Sequence, residues 1–451
     1  MRIFASFAIL CALATSLPAQ APTEKPAASP KQEKRPNIIL IMADDIGYEC
    51  FGCYGSKQYY TPNIDKMAAT GMRFTHCYSQ PLCTPSRVKL MTGLNNARNY
   101  SAFSVLNRDQ YTFGHLLKEA GYRTMAAGKW QLYGADNYAK QFRAKGTLPG
   151  EAGFDEWCLW QVDKLGGRYD SPLLNINGEN RQFPKTDYGP DICVDHILKF
   201  IDQKSDQPFF VYYPMILVHD PFVPTPDSKT RDRKLKQQNF EDMVAYMDKL
   251  VGKIVDHVAE KGLAENTLIM FVGDNGTNAP IVSDLEDVKI KGGKGKTTDA
   301  GMRVPLVVTW PGVVPADKVC GDLVDFSDFY PTLAGFAAAN MPAEVDGHTF
   351  RPQLLGQPGT PREWIYCYYN PRPERTKPTR FVRDQRWKLY GDGSFYDLED
   401  DVLEKYPIED LSSVAGAQAA HDKLAAALKS QPSQGATLLQ FPSGPAKMTK
   451  E

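Results

Sequence analysis

Four short stretches of the chain are apolar almost without a break, and they are widely spaced. Asn37–Ala43 reads Asn-Ile-Ile-Leu-Ile-Met-Ala, and similar runs occur at Phe209–Tyr213, Thr267–Gly273 and Val304–Thr309. A short run that does not alternate predicts a strand covered on both faces, as in a parallel sheet between layers of helices. Between these runs the period lengthens. Met243, Met247, Leu250, Ile254 and Val258 recur at helical spacing within Phe240–Lys261, and Gly262 stands where a helix stops. Alternating strands and helices predict an α/β fold with a large, mostly parallel central sheet flanked by helices.

The pattern changes near Val345. Trp364–Tyr369, Arg380–Val382, Trp387–Tyr390 and Ser394–Tyr396 are short and rich in aromatic and β-branched residues, and Asp392-Gly393 suits a hairpin turn. An amphipathic helix is expected over Ala417–Ser430. These elements predict a smaller C-terminal subdomain with an antiparallel sheet plus a helix. The resulting organisation is a signal peptide over 1–20, a disordered linker over 21–35, a catalytic domain over 36–344, and the C-terminal subdomain and tail over 345–451. The leader rests on Arg2, the apolar run Ile3–Leu17 and the small residues after it. It predicts a secreted or periplasmic protein without stable membrane insertion. The linker is rich in Ala, Pro, Lys, Glu and Gln and has little apolar area to bury.

Composition narrows the picture only slightly. The 451 residues carry a net charge of -1, so no global field points to nucleic acid. Nine cysteines in a chain of this length are too few for a disulfide scaffold. Cys50 and Cys53 have C-x-x-C spacing, but no second pair completes a zinc site.

The chemistry concentrates at strand ends. Asp44 and Asp45 directly follow the first apolar run, and Asp274 and Asn275 directly follow the third. In open α/β sheets the carboxyl edge is where sites form. Either pair alone reads as turn or helix capping. Together, three carboxylates and an amide oxygen call for a hard cation, with calcium favoured over the stricter magnesium. Cys83-Thr84-Pro85-Ser86-Arg87 opens a helical segment. Pro85 at the first helical position would put Cys83 just before the helix, where the amino terminus favours anions.

Cys83-Thr84-Pro85-Ser86-Arg87, followed by Leu90, Thr92 and Gly93, resembles the signature of the formylglycine-dependent type I sulfatases of the alkaline-phosphatase-like superfamily. The resemblance runs in order through nearly the whole mature chain. It includes Ile41–Tyr48 with Gly52-Cys53-Tyr54-Gly55, then Gly121-Tyr122-Arg123-Thr124 and Gly128-Lys129-Trp130. Phe209–Phe222, Gly273-Asp274-Asn275-Gly276 and Gly292-Gly293-Lys294-Gly295 follow, then Arg303-Val304-Pro305 and Phe395–Leu398.

That resemblance implies a hydrolase of sulfate esters, with carbohydrate sulfates or sulfated small molecules as substrates. It also implies a maturation enzyme that oxidises Cys83 to formylglycine. The hydrated aldehyde would attack sulfur, form a covalent sulfate ester and then expel sulfate. Asp44, Asp45, Asp274 and Asn275 would hold calcium, with residue 83 as nucleophile and further ligand. Arg87 and Lys129 would hold the hydrate, Lys294 the sulfate oxygens, and His219 would protonate the leaving oxygen. Gln131 departs from the family, which usually has His after Gly-Lys-Trp; Gln donates and accepts hydrogen bonds but does not titrate. The same residues would also suit a phosphate or phosphonate ester hydrolase. A non-catalytic binding homologue would keep the fold but leave the thiol unmodified.

Overall fold

A computed structural model describes residues 35–286, 288–342 and 344–436. The expected signal peptide, and the linker apart from Arg35, lie outside the described residues. Among those that are described, no helix is long and apolar enough to cross a membrane.

Ten strands form the main sheet. Five central strands are parallel, in the order Thr267–Gly273, Asn37–Ala43, Phe209–Pro214, Arg123–Lys129 and Glu156–Trp160. Beyond Thr267–Gly273 lie Arg303–Thr309 and Met72–Tyr78, each antiparallel to its inner neighbour, and Lys318–Asp325, parallel to Met72–Tyr78 at the edge. Leu173–Ile176 and Glu179–Gln182 extend the opposite side antiparallel. Every residue of Asn37–Ala43 and of Thr267–Gly273 is buried, which explains why these runs are apolar throughout. The alternation is hidden because both faces are covered. Ile39 and Ile41 pack with helices Pro62–Ala69, Gly189–Ile201 and Lys236–Glu260, while Ile38, Leu40 and Met42 face helices Cys83–Thr92, Phe113–Glu119 and Phe329–Ala337.

The helix expected from Phe240 begins a turn earlier, at Lys236. Its first turn is polar and therefore carries no hydrophobic period. Asn239 anchors it by donating to the carbonyls of Phe222 and Asp232. The C-terminal sheet orders Ile365–Tyr369, Thr379–Arg383, Trp387–Tyr390 and Phe395–Asp397 antiparallel throughout. One face (Tyr366, Val382, Leu389) packs on helix Ala417–Ser430 through Leu424. On the other face, Ile365, Cys367 and Phe381 meet Tyr78, Met302 and Leu323 of the larger body.

Candidate active site

The site lies at the carboxyl edge of the central strands, and the sheet's own pairing assembles it. Asn37–Ala43 lies in register with Thr267–Gly273, so Ala43 is opposite Gly273 and the acidic pairs emerge side by side. The Asp274 N–H donates to the Ala43 carbonyl at 2.8 Å, and the Asp45 N–H donates to Asp274 Oδ1 at 2.9 Å. On the other flank the Asp44 N–H donates to the Leu217 carbonyl at 2.8 Å, which brings in the segment that carries His219. Lys129 ends the neighbouring strand.

Cys83 approaches from a helix. The expectation that it would lie just outside is corrected: the helix is Cys83–Thr92 with Leu82 as its extended N-cap, so Cys83 is the first helical residue and Pro85 the third. Proline is tolerated there because the first turn's N–H groups have no intrahelical acceptor. No side chain caps this terminus, and all ten residues of the helix are buried. Its end of the macrodipole therefore acts on residue 83 without dilution by solvent.

Asp44, Asp45, Asp274 and Asn275 are wholly buried, as are Arg87 and Lys129. Lys129 Nζ donates to Asp44 Oδ2 at 2.8 Å, Lys294 pairs with Asp45, and Arg87 lies 3.5 Å from Asp274 Oδ2 while donating to the Lys129 carbonyl at 2.6 Å. Carboxylate oxygens of Asp44 and Asp274 converge with Cys83 Sγ, and those of Asp44 and Asp45 with His219, all within 4.8 Å of one another in each group. Two acceptors in this cluster, Asp44 Oδ1 and Asn275 Oδ1, are buried and have no hydrogen-bond partner.

Electrostatics follow from that crowding. Burial opposes charge on Asp44, yet Lys129, helped by His219, Arg87 and Lys294, holds its pKa far below the usual carboxylate range. Asp274 is pushed up, first by burial and then by the charge of Asp44. Burial also pushes the Cys83 thiol up, against the pull of Lys129. Lys294 is raised despite burial, by Asp45 above all.

His219 Nε2 lies 3.2 Å from Lys294 Nζ and 3.6 Å from Asp45 Oδ2. Its Nδ1 lies 2.7 Å from the Asp220 carbonyl and 2.8 Å from Arg168 NH1. Gln131 belongs to the cluster as well: the Cys83 thiol donates to its Oε1 at 3.0 Å, and its Nε2 donates to the Tyr138 hydroxyl at 2.8 Å. All ten residues singled out in the sequence therefore meet at one place. Sequence reasoning missed Arg168, Asp220 and Tyr138. Asp220 was detectable as the neighbour of His219, but nothing around Arg168 or Tyr138 separates them from ordinary surface residues. The aromatic residues Trp130 and Trp160 are core: each is buried, and each indole N–H donates to a backbone carbonyl.

Comparison with known proteins gives a consistent result. The family described as Sulfatase matches residues 36–339, and N-sulphoglucosamine sulphohydrolase, C-terminal, matches residues 294–434. Human (Homo sapiens) arylsulfatase A is 30% identical over 390 residues, covering 79% of this chain and 74% of that protein. N-acetylgalactosamine-6-sulfatase of Canis lupus familiaris is 32% identical over 372 residues, covering 73% of this chain and 68% of that one. Among solved structures, Ps i-CgsB in complex with k-i-k-neocarrahexaose superposes with a TM-score of 0.70 at 28% identity, covering 89% of this chain and 95% of its own.

Proposed function

The chain belongs to the sulfatase family and is a sulfuric ester hydrolase; on that premise we propose that it desulfates carbohydrates, using a formylglycine made from Cys83 and a calcium ion held by Asp44, Asp45, Asp274 and Asn275. The carrying observation is the pair of buried, unpartnered acceptors, Asp44 Oδ1 and Asn275 Oδ1, set among three carboxylates. Unpaired buried acceptors are costly, and an all-oxygen donor set suits a hard cation. Charge supports the fit. Lys129, Arg87 and Lys294 are each engaged with one of the three carboxylates, which leaves none of them free for an anionic ester. A divalent ion would give the pocket a positive surplus and supply Lewis-acid polarisation of a sulfate oxygen.

A formylglycine hydrate would supply the oxygen nucleophile at residue 83, a task for which a buried thiol with a raised pKa is poorly suited. The chain's own side chains divide the rest. The open N-terminus of helix Cys83–Thr92 and Lys129 favour negative charge at residue 83, and Arg87 fixes the carbonyl of Lys129. Gln131 orients residue 83 through one hydrogen bond. Lys294 holds sulfate oxygens as charge shifts onto them. With its Nδ1–H donated to the Asp220 carbonyl, His219 presents Nε2 and protonates the leaving alcohol oxygen.

Carbohydrate as the leaving group rests on the relatives: one acts as an N-acetylgalactosamine-6-sulfatase, and Ps i-CgsB binds a neocarrahexaose. Burial of the whole Cys83–Thr92 segment supports oxidation by a maturation enzyme before folding. The leader at residues 1–20 supports a secreted or periplasmic destination. Two measurements test the proposal. Mass spectrometry of the Cys83 peptide, from protein made alongside the maturation enzyme, is expected to show the aldehyde or its hydrate. A panel of defined sulfated oligosaccharides is expected to release sulfate, with aryl phosphate turned over far more slowly than aryl sulfate. Turnover by protein that carries only thiol, or a preference for phosphate, would overturn it.

A further inference from the structure

The loop that carries Lys294, residues 292–298, is tied to three separate parts of the molecule. On its leading side the Gly292 N–H donates to the Ile281 carbonyl at 2.9 Å and the Lys294 N–H to the Thr277 carbonyl at 3.0 Å, both on the segment leaving Asn275. A Cβ at Gly292 would strike the carbonyl of Asn278, so this side fits tightly. At the tip, the Gly295 N–H donates to the Pro81 carbonyl at 2.8 Å, two residues before Cys83.

The trailing side is held by the C-terminal sheet. Lys388 Nζ donates to the Thr297 carbonyl at 2.5 Å and to Glu404 Oε1 at 2.8 Å. The Tyr390 hydroxyl donates to Glu404 Oε2 at 2.5 Å and lies 3.1 Å from Thr297 Oγ1. Asp299, two residues further on, pairs with Arg383 of the same sheet. The side chains of Lys388 and Glu404 are 1% and 3% exposed, and the ammonium sits 4.1 Å above the Phe381 ring. A buried ion pair is weak evidence of stability, because a well-packed apolar residue often serves as well. No apolar residue, however, can hold the Thr297 carbonyl at hydrogen-bond distance.

We propose that Lys388, braced by Glu404 and Tyr390, is a positioning residue for the reaction: it fixes Thr297 and thereby sets where Lys294 presents its ammonium to the sulfate. The C-terminal sheet then belongs to the catalytic apparatus through its hold on this loop. This inference rests on the reading of Lys294 as a sulfate ligand.

The test is a double-mutant cycle on the metal-loaded, matured enzyme. Lys388→Met and Tyr390→Phe are each made in the native and Lys294→Ala backgrounds, and kcat/KM is measured on a sulfate ester. A displacement near 1 Å in a reacting group is enough for a loss of about 100-fold, so Lys388→Met is expected to cost about 10–100-fold when Lys294 is present. In the Lys294→Ala background the further loss is expected to stay within about twofold, because both changes act through one ammonium. Equal losses in the two backgrounds mean a general structural effect and overturn the proposal. Should Lys388→Met fail to fold, Tyr390→Phe, which removes a single hydroxyl, carries the cycle.

Amide hydrogen exchange gives a readout independent of turnover. Faster exchange is expected at Lys294 and Gly295, with Leu268–Val272 unchanged. If the native enzyme proves inactive on sulfate esters, the functional reading fails on its own, and exchange at these two amides then decides the positioning claim. No change there overturns it.

Discussion

Replacing Lys129 with methionine keeps most of the side chain's length and deletes its charge. Lys129 Nζ lies 2.8 Å from Asp44 Oδ2, and neither side chain reaches solvent. At that separation, with an effective dielectric constant of about 20, the Coulomb attraction is about 6 kcal/mol. The variant therefore leaves a buried carboxylate unpaired, and its second oxygen already lacks a partner. Breaking a buried ion pair from one side costs about 3–5 kcal/mol. A calcium ion on the same carboxylates would restore the missing positive charge, and because it stabilises both folded proteins, only a difference in affinity changes the gap between them. Calcium should also bind the variant more tightly than the native protein, because a repelling ammonium has gone. Denaturant unfolding of both proteins, in chelator and in saturating calcium, measures the gap twice. The gap is expected to be about 3–5 kcal/mol in chelator and to shrink in calcium by about 1.4 kcal/mol for each tenfold by which the variant binds the ion more tightly than the native protein. A gap of the same size under both conditions would refute the reasoning, since Asp44 would then answer to neither charge. Sulfatase activity of the variant should stay low in calcium, which separates restored folding from restored chemistry.

Three other perturbations follow from the same geometry. Gln131→Leu removes the acceptor 3.0 Å from Cys83 Sγ, and losing one such hydrogen bond is expected to lower kcat/KM by about tenfold; Gln131→His should instead add an ionisation near pH 6–7 to the rate profile, and an unaltered profile would place residue 131 outside the site. Lys294→Ala is expected to reduce kcat/KM by about 100- to 1,000-fold with a raised KM; unchanged steady-state kinetics would remove Lys294 from sulfate binding. Asp299 is buried, yet Arg383 holds its pKa below the ordinary value. A depressed folded-state pKa contributes stability above the unfolded value of about 4, and that contribution is lost as pH falls through the folded value. Arg383→Met should thus cost about 3–5 kcal/mol near pH 7 and distinctly less near pH 3, and equal losses in unfolding at the two pH values would contradict the assignment.

The fold was most legible where burial is most one-sided. The runs Asn37–Ala43 and Thr267–Gly273 are covered on both faces, so their composition alone marks central strands. Glu179–Gln182 is exposed along its whole length and extends the sheet through backbone pairing with Leu173–Ile176. Its polar side chains carry no core pattern, and no strand was expected there. Arg303–Thr309 was recognised as a strand, but its antiparallel direction follows from where the chain returns after the 292–298 loop, which local sequence does not encode.

The site divides along the same line. Asp44, Asp45, Asp274 and Asn275 were legible because each follows an apolar strand directly, and sheet register then brings the pairs together. Cys83 was marked by its place at a helix start, whereas its role and those of Arg87, Lys129, His219 and Lys294 were legible only through ordered resemblance. A lysine that ends a strand has the same local sequence whether it points to solvent or to Asp44, and only packing makes Lys129 a wholly buried cation. Lys388 is the limiting case. It lies in Trp-Lys-Leu-Tyr, where period-2 alternation marks it as a polar residue on the open face of an edge hairpin. The structure buries that face against the larger body and pairs the ammonium with Glu404, sixteen residues away. The reason for its charge lies in the Thr297 carbonyl, which belongs to a loop whose position the sheet's own sequence does not determine. Residues that hold the reacting groups directly left traces in strand ends and motifs, whereas those that hold the holders became visible only once the two sheets were seen against each other.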